Sequence, residues 1–195
     1  MFISHSREKL LNAIVYFVKN TKYCNTLKLF KLLNFLDFEH YRQTGKSVTG
    51  LDYVAWKKGP VPPTLWHEVQ KMPPDLAKVI DVIEHRDEFT DQLQRREFKL
   101  KVKFDPKYFT KREMAIMQRL GEYFKELRAE QISRFSHSKK LPWEVVYRGE
   151  GKPAAAIPYE LAFESAKIID DMPTIEKEEL EYRREALREI ESHTK

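Results

Sequence analysis

The sequence predicts a mainly α-helical, α+β protein: a helical domain that carries one small antiparallel β-hairpin. Three observations predict it. Apolar residues recur at helical spacing through most of the chain, above all before residue 45. A β-branched run, Val79-Ile80-Asp81-Val82-Ile83, is followed by Phe98, Leu100, Val102 and Phe104 alternating strictly with Lys99, Lys101 and Lys103. The composition is that of a chain with a real core: 42% of its 195 residues are hydrophobic, and 12 Phe, 9 Tyr and 3 Trp are present.

The first helix is expected from Ser6, placed to cap it, to about Lys19, with Leu10, Leu11, Ile14, Val15, Phe17 and Val18 on one side. Asn20-Thr21-Lys22 breaks the pattern, and Asn25 or Thr26 starts a second helix. There Leu29, Leu32, Leu33 and Leu36 form one flank and Leu27, Phe30, Phe38 and Tyr41 the other. Lys28, Lys31, Glu39 and Arg42 make a narrow polar strip, and a helix so apolar needs neighbours on two sides. Gly45 supplies its stop. Ser47-Val48-Thr49 and Gly50 lead to an expected helical turn bearing Tyr53, Ala55 and Trp56, after which Gly59-Pro60 forces a defined turn. Pro62-Pro63-Thr64 opens a third helix with Leu65, Trp66 and Val69, closed by Pro73-Pro74.

The hairpin follows, with a charged connection expected near 85–96. Thr110-Lys111-Arg112-Glu113 is a capping box ahead of an amphipathic helix whose apolar face is Ile116, Met117, Leu120, Tyr123, Phe124 and Leu127. A short helix is expected around Ile132 and Phe135, and a helical turn at Trp143-Glu144-Val145-Val146. Gly149–Pro153 reads as a loop, and Ile157-Pro158 as the opening of a helix carrying Leu161, Phe163 and Ile168. Beyond Pro173 the sequence is nearly all charged, with Leu180, Leu187 and Ile190 as a thin apolar stripe. A helix there would be held partly by pairing of Glu181 and Glu185 with Arg184 and Arg188. The expected division is a domain over 1–170 and a charged helical extension over 171–195.

Charge is modest and uneven. The net charge is +5; residues 1–60 hold ten Lys/Arg against four Asp/Glu, and residues 171–195 hold five against eight. A basic body with an acidic tail suits nucleic acid or an acidic protein partner and does not choose between them. The single cysteine, Cys24, permits no internal disulfide. With no secretory leader and no apolar run near 18 residues, the expectation is a cytoplasmic protein that engages no membrane.

Signals of catalysis are weak. His67-Glu68-Val69-Gln70-Lys71 begins like a zinc-protease helix, but Lys71 stands where the second imidazole belongs. No phosphate-binding glycine loop occurs, the six histidines are scattered, and Cys24 reads as a buried or idle thiol. No enzyme activity, metal or cofactor is expected. Asp37 falls in the middle of the apolar arc of the second helix. It reads either as a brace bonded to backbone amides or to the Trp56 indole, or as a functional carboxylate with no evident partner. Lys99, Lys101, Lys103 and Lys107 on a hairpin after three helices fit a winged DNA-binding domain, or simply a solvated strand face. Tyr53, Trp56, Trp66 and Trp143 with Lys57, Lys58 and Arg148 are the residue types that dominate protein interfaces, although most large aromatics in such a domain are core.

Two stretches carry a family resemblance. They are Leu29-Phe30-Lys31-Leu32-Leu33-Asn34-Phe35-Leu36-Asp37, with Gly45, Val48-Thr49-Gly50 and Tyr53–Val61 after it, and the later Ile132-Ser133, His137, Pro142-Trp143 and Ile157-Pro158. In this order, over roughly residues 8–170, they resemble the Panacea domain, the SocA-like antitoxin domain also found in phage-associated proteins. Asp37 and Gly59-Pro60-Val61 are the more specific elements; Asn34 and Lys58 stand where the family often has an aromatic. The resemblance implies a bacterial or phage antitoxin of a type II toxin–antitoxin system, binding a co-encoded protein toxin without catalysis. Some such antitoxins act as adaptors that hand the toxin to a protease, so a protease or chaperone is a further implied partner. The alternative is a DNA-binding transcriptional regulator, which autoregulation would make compatible with the first role. Asp37, Trp56, Gly59, Pro60, His137 and Trp143 are the expected structural motif. Tyr53, Lys57, Lys58 and Trp66, with Leu180, Leu187 and Ile190 of the extension, are the candidate partner-binding residues.

Overall fold

The computed structural model describes residues 5–88, 90–169 and Glu185. Much of it is arranged around one helix. α1 (Ser6–Asn20) leads to α2 (Thr26–Thr44), which is started by Asn25, whose side chain accepts from the Lys28 amide at 3.0 Å, and stopped by Gly45 at φ 69. α1, α5 (Lys111–Tyr123), α6 (Ala129–Ser136), the strands β2 (Gly59–Val61) and β4 (Leu93–Leu100) and a 3₁₀ turn at Tyr159–Phe163 all pack on α2. The mainly α fold with small antiparallel β elements is as expected.

The strip of α2 expected to face water does not. Lys28 and Lys31 are 0% exposed and Glu39 is 1% exposed. Lys28 Nζ donates to the carbonyls of Lys22, Lys125 and Leu127 at 2.7, 3.2 and 2.6 Å, groups left open where the chain leaves a helix or turns. Glu39 accepts from Arg42 and, at 2.8 Å, from Gln43. Periodicity assigns charged residues to solvent, but a long amine can also satisfy backbone carbonyls that nothing else reaches. At the start of α1, Ser6 lies in the first turn and His5 occupies the cap position without a side-chain bond, so the expected Ser6 cap does not form.

Among the described residues there are two hairpins where one was expected. β1 (Val54–Trp56) pairs antiparallel with β2, with Ala55 opposite Pro60 and Trp56 opposite Gly59. The expected helical turn at 53–56 is therefore a strand. Its other edge explains why: Ala55 N–H donates to the Ala155 carbonyl at 2.8 Å, Ala154 N–H to the Ala55 carbonyl at 2.7 Å, and Ile157 N–H to the Tyr53 carbonyl at 2.8 Å. Those partners are remote in sequence, where no local pattern can reveal them.

α3 (Pro63–Lys71) follows as expected, but Pro74–Val79 forms a further short helix, α4, where only a connection was foreseen. β3 (Ile80–Arg86) then pairs with β4, so the connection is 87–92 and not 85–96. The charged residues between are strand because they pair across it: Arg96 Nη2 lies 2.9 Å from Glu84, and His85 Nε2 lies 2.9 Å from Glu97. Val102 and Phe104 lie past the end of β4; Val102 is exposed, and Phe104 packs on Tyr16 and Phe109 with ring centroids at 5.2 and 5.8 Å.

The capping box at Thr110 and Glu113 forms at the head of α5. α7 (Pro142–Glu144) runs into a π-helical turn at Val145–Gly149. The helix expected after Ile157-Pro158 is only the 3₁₀ turn Tyr159–Phe163, and Ile168 is buried beyond it. Apart from Glu185, the expected charged helix, with Leu180, Leu187 and Ile190, lies outside the described residues.

Candidate functional site

Asp37 is entirely buried. Its Oδ1 accepts from the amides of Val48 and Thr49 at 2.8 Å each, and its Oδ2 from the hydroxyls of Thr49 at 2.5 Å and Tyr53 at 2.7 Å. Burial pushes the carboxyl up to about 6 while these donors pull it back. The carboxylate joins α2 to the 48–53 segment that feeds β1. Of the partners expected for it, the backbone amides are present and the Trp56 indole is not. Tyr53, expected on the partner-facing surface, is 1% exposed and is committed to Asp37 and to ring contacts with Phe38 and Tyr159.

The β1–β2 hairpin is held from beneath through alternate carbonyls. Trp143 Nε1 of α7 donates to the Trp56 carbonyl at 2.9 Å, Ser133 Oγ of α6 to that of Lys58 at 2.7 Å, and Lys31 Nζ of α2 to that of Pro60 at 2.7 Å. A strand carbonyl that faces away from its partner needs a donor, and three helices supply one each. Gly59 has φ +104, and a Cβ there would lie 2.7 Å from both Lys31 Cε and Ser136 Oγ. Burial brings Lys31 down to about 7. Gly59 is thus required twice, by its backbone conformation and by the side chains pressed against it. His137 stacks on Trp143 at 3.8 Å between centroids, and Trp143 on Tyr147 at 4.6 Å; burial, then the positive charge of Lys31 and Arg148, lowers the imidazole.

Trp56, Gly59, Pro60, His137 and Trp143 therefore meet in one assembly, and Asp37 braces its approach from the far side of the 48–53 segment. Sequence reasoning missed Lys31, Ser133 and Ser136. Ser133 and Lys31 both lie in the family stretches but carried no role, and Lys31 differs in no local way from Lys28, the other lysine of α2.

Above the hairpin the chain opens a cleft of about 820 Å³. Its walls are the hairpin tip with Lys57 and Lys58, the first turns of α2 with Leu27 and Phe30, the 93–96 end of β4, and α6 with Ser133 and Arg134. Trp56 and Trp66 meet edge-on at 5.5 Å on one side of it. The structure thus gathers Trp56, Lys57, Lys58 and Trp66 at one surface and leaves Tyr53 in the core. A second hollow of about 630 Å³ shares Asn25, Gln94, Arg95, Arg96, Ala129 and Glu130 with the first and includes Cys24. Burial pushes the Cys24 thiol up to about 11, so it is held as the thiol.

The family model described as antitoxin SocA-like, Panacea domain, matches residues 29–144. That span runs from the start of the buried face of α2 through the hairpin and cleft to the end of α7. No curated protein and no solved structure matches the chain.

Proposed function

Because the chain belongs to the SocA-like antitoxin family defined by the Panacea domain, we propose that it neutralises a co-encoded protein toxin by direct binding. The family match, over more than half of the chain, is the observation that carries this reading. Its antitoxin-type role is the family's; the toxin as partner, and binding as the means, are inferred for this chain. The cleft beside Trp56 and Trp66 supports a binding role, since aromatic and cationic side chains around a hollow are what protein interfaces use as anchors. We further propose that residues 1–170 form the binding domain and that 171–195, with Leu180, Leu187 and Ile190, add a second contact that selects the toxin. Delivery of the captured toxin to a protease, with or without a chaperone, is an extension of the same reading. No described helix is long and apolar enough to cross a membrane, and the proposed site of action is the cytoplasm.

The test is genetic. Each open reading frame adjacent to the gene is expressed alone and with this protein. The expected outcome is one neighbour that arrests growth alone and is tolerated in the pair; if no neighbour is rescued, the antitoxin reading is discarded.

DNA binding is the second reading, favoured by the cations on the β3–β4 hairpin. Much of that charge is spent internally: Arg86 and Arg96 bind Glu84, and Lys101 binds Asp81 at 2.6 Å. If the protein does bind its own promoter, affinity must fall steeply with salt. No shift of a promoter fragment at low salt removes this role.

A further inference from the structure

We propose that the cleft between the β1–β2 hairpin, α2, α6 and β4 seats an acidic segment of the partner protein that carries apolar anchor residues. This rests on the antitoxin reading and deepens it by naming the contact surface and the chemistry it selects.

Two observations carry the proposal. The first is the state of the cations on the rim. Lys57, Lys58, Arg95 and Arg134 are exposed, and among the described residues none of the four has a carboxylate within ion-pair distance. Eight other cations, Arg7, Lys9, Lys22, Arg86, Arg96, Lys101, Lys107 and Lys152, each have an acidic partner, and others, such as Lys99, Lys111 and Lys139, have none among the described residues; what sets the four apart is that they stand around one hollow. Arg96, the one ion-paired cation of the cleft, is held by Glu84 on the neighbouring strand, and Glu130 is the one acidic side chain of the wall. Four uncompensated positive groups around one hollow set up a field that favours a negatively charged occupant and speeds its arrival.

The second is the floor. Trp56 and Trp66 are each half-buried, so part of both rings faces outward, and Leu27, Phe30 and Val61 continue the apolar surface inward. At about 820 Å³ the hollow falls in the size range of sites that enclose several side chains. A purely electrostatic anion site has no need of such a floor, and a purely apolar one has no need of the cations. Solvated lysines placed only for solubility would have no reason to ring the half-buried tryptophans.

The hairpin tip is also a fixed platform. The three bonds to the carbonyls of residues 56, 58 and 60, one buried and two part-buried, hold the backbone from which Lys57 and Lys58 project. A partner therefore meets a pre-organised rim and does not have to order it, which saves part of the entropic cost of association.

The probe is a fluorescein-labelled peptide of roughly 16 residues, rich in Glu and Asp, with Leu and Phe at every third or fourth position so that one helical face is apolar. A control peptide keeps the charge and replaces each Leu and Phe by Ser, and a single-stranded DNA of similar charge tests for a nucleic-acid occupant. Fluorescence anisotropy is read with the full-length protein. The expected result is binding at low salt that is ~10-fold or more tighter for the apolar acidic peptide than for its Ser control. K57E/K58E and W66A should each weaken it ~10-fold or more, whereas K111E/K139E, exposed cations elsewhere, should leave it within ~2-fold. Melting temperatures of K57E/K58E and K111E/K139E should match the wild type, because these side chains make no buried contact; this separates lost binding from lost folding even if W66A is destabilised. Equal binding of the Ser control, equal loss in K111E/K139E, or tighter cleft-dependent binding of the DNA each overturns the proposal.

The same variants enter the co-expression assay. If peptide binding behaves as expected but no neighbouring gene product is neutralised, the antitoxin reading falls and the cleft's chemistry stands. If a toxin is neutralised equally by the wild type and by K57E/K58E, the cleft is not its seat and the proposal falls while the antitoxin reading stands.

Discussion

Replacing Asp37 tests the reasoning about the brace most directly, because Ala and Asn remove different parts of it. Asp37→Ala takes away the acceptor for two buried amides and two hydroxyls. The hydroxyls can rotate toward other acceptors; the Val48 and Thr49 amides cannot. Leaving each without a partner costs about 1–3 kcal/mol, so the gross loss is about 2–6 kcal/mol. Against this stands relief of the buried charge. The carboxyl titrates at about 6 in the folded protein and at 3.8 when unperturbed, a difference worth about 3 kcal/mol above pH 6. At pH 7 the net effect of Asp37→Ala therefore lies between a gain of about 1 kcal/mol and a loss of about 3 kcal/mol, the loss lowering Tm by up to ~10 °C in a chain of this size. At pH 4 the relief has nearly vanished and the loss should grow to nearly its gross value.

Asp37→Asn keeps an acceptor for the two amides and removes the titration. A folded pKa above the unfolded one means the folded state holds the proton more tightly between about 3.8 and 6. The group's favourable contribution is thus fully present below 3.8 and lost as pH rises through 6. The stability of the wild type minus that of Asp37→Asn, from urea unfolding at steps between pH 4 and 7.5, should fall by roughly 2–3 kcal/mol across that window. A flat difference would refute the account of a buried, proton-accepting carboxylate. Unchanged melting of Asp37→Ala at pH 4 would refute the brace itself.

Other substitutions probe the hairpin and its supports. Gly59→Ala puts a Cβ 2.7 Å from Lys31 Cε and Ser136 Oγ at φ +104; a destabilisation of ~2–4 kcal/mol is expected by urea unfolding, and wild-type stability would sink the double requirement. Lys31→Met removes an amine brought down to about 7 by burial. Since the unfolded chain stays protonated to about 10.4, the Lys31 contribution to stability rises from pH 7 upward, and the wild type should gain on Lys31→Met between pH 7 and 9.5; a constant gap would contradict it. Trp143→Phe retains a ring to stack on His137 but loses the bond to the Trp56 carbonyl, at an expected cost of about 1–3 kcal/mol, with a Tm equal to wild type as the contrary result. Deleting 173–195 should weaken toxin neutralisation and leave Tm within about 2 °C; full rescue by the truncated chain would remove that extension from the toxin contact.

The elements that could be read from sequence are those whose cause is local. Asn25 and Gly45 bound α2 because a cap side chain and a left-handed glycine act within one turn, and Thr110 with Glu113 closes a capping box three residues apart. The Asp37 brace was legible in part, since an acid in an apolar arc must find donors; which donors answered depended on where residues 48–53 came to lie. The β1 strand was not legible, because its outer bonds go to residues 154–157. Nor was the fate of Lys28 and Lys31, whose neighbours in sequence give no hint of the carbonyls that need them.

For this protein the sequence by itself determined the ends of α2 and the capped start of α5, the alternation of Phe98, Lys99 and Leu100 at the end of β4, the family and the set of residue types available for recognition. Only the tertiary structure decided which of those residues share a surface. It sent Tyr53 inward to Asp37 and brought Trp56 and Trp66 to the wall of one cleft with four cations around it that have no carboxylate partner among the described residues. The reason is physical: caps and periodicity are satisfied within a few residues, whereas buried carbonyls and carboxylates are satisfied by whatever the fold brings near, at any distance along the chain.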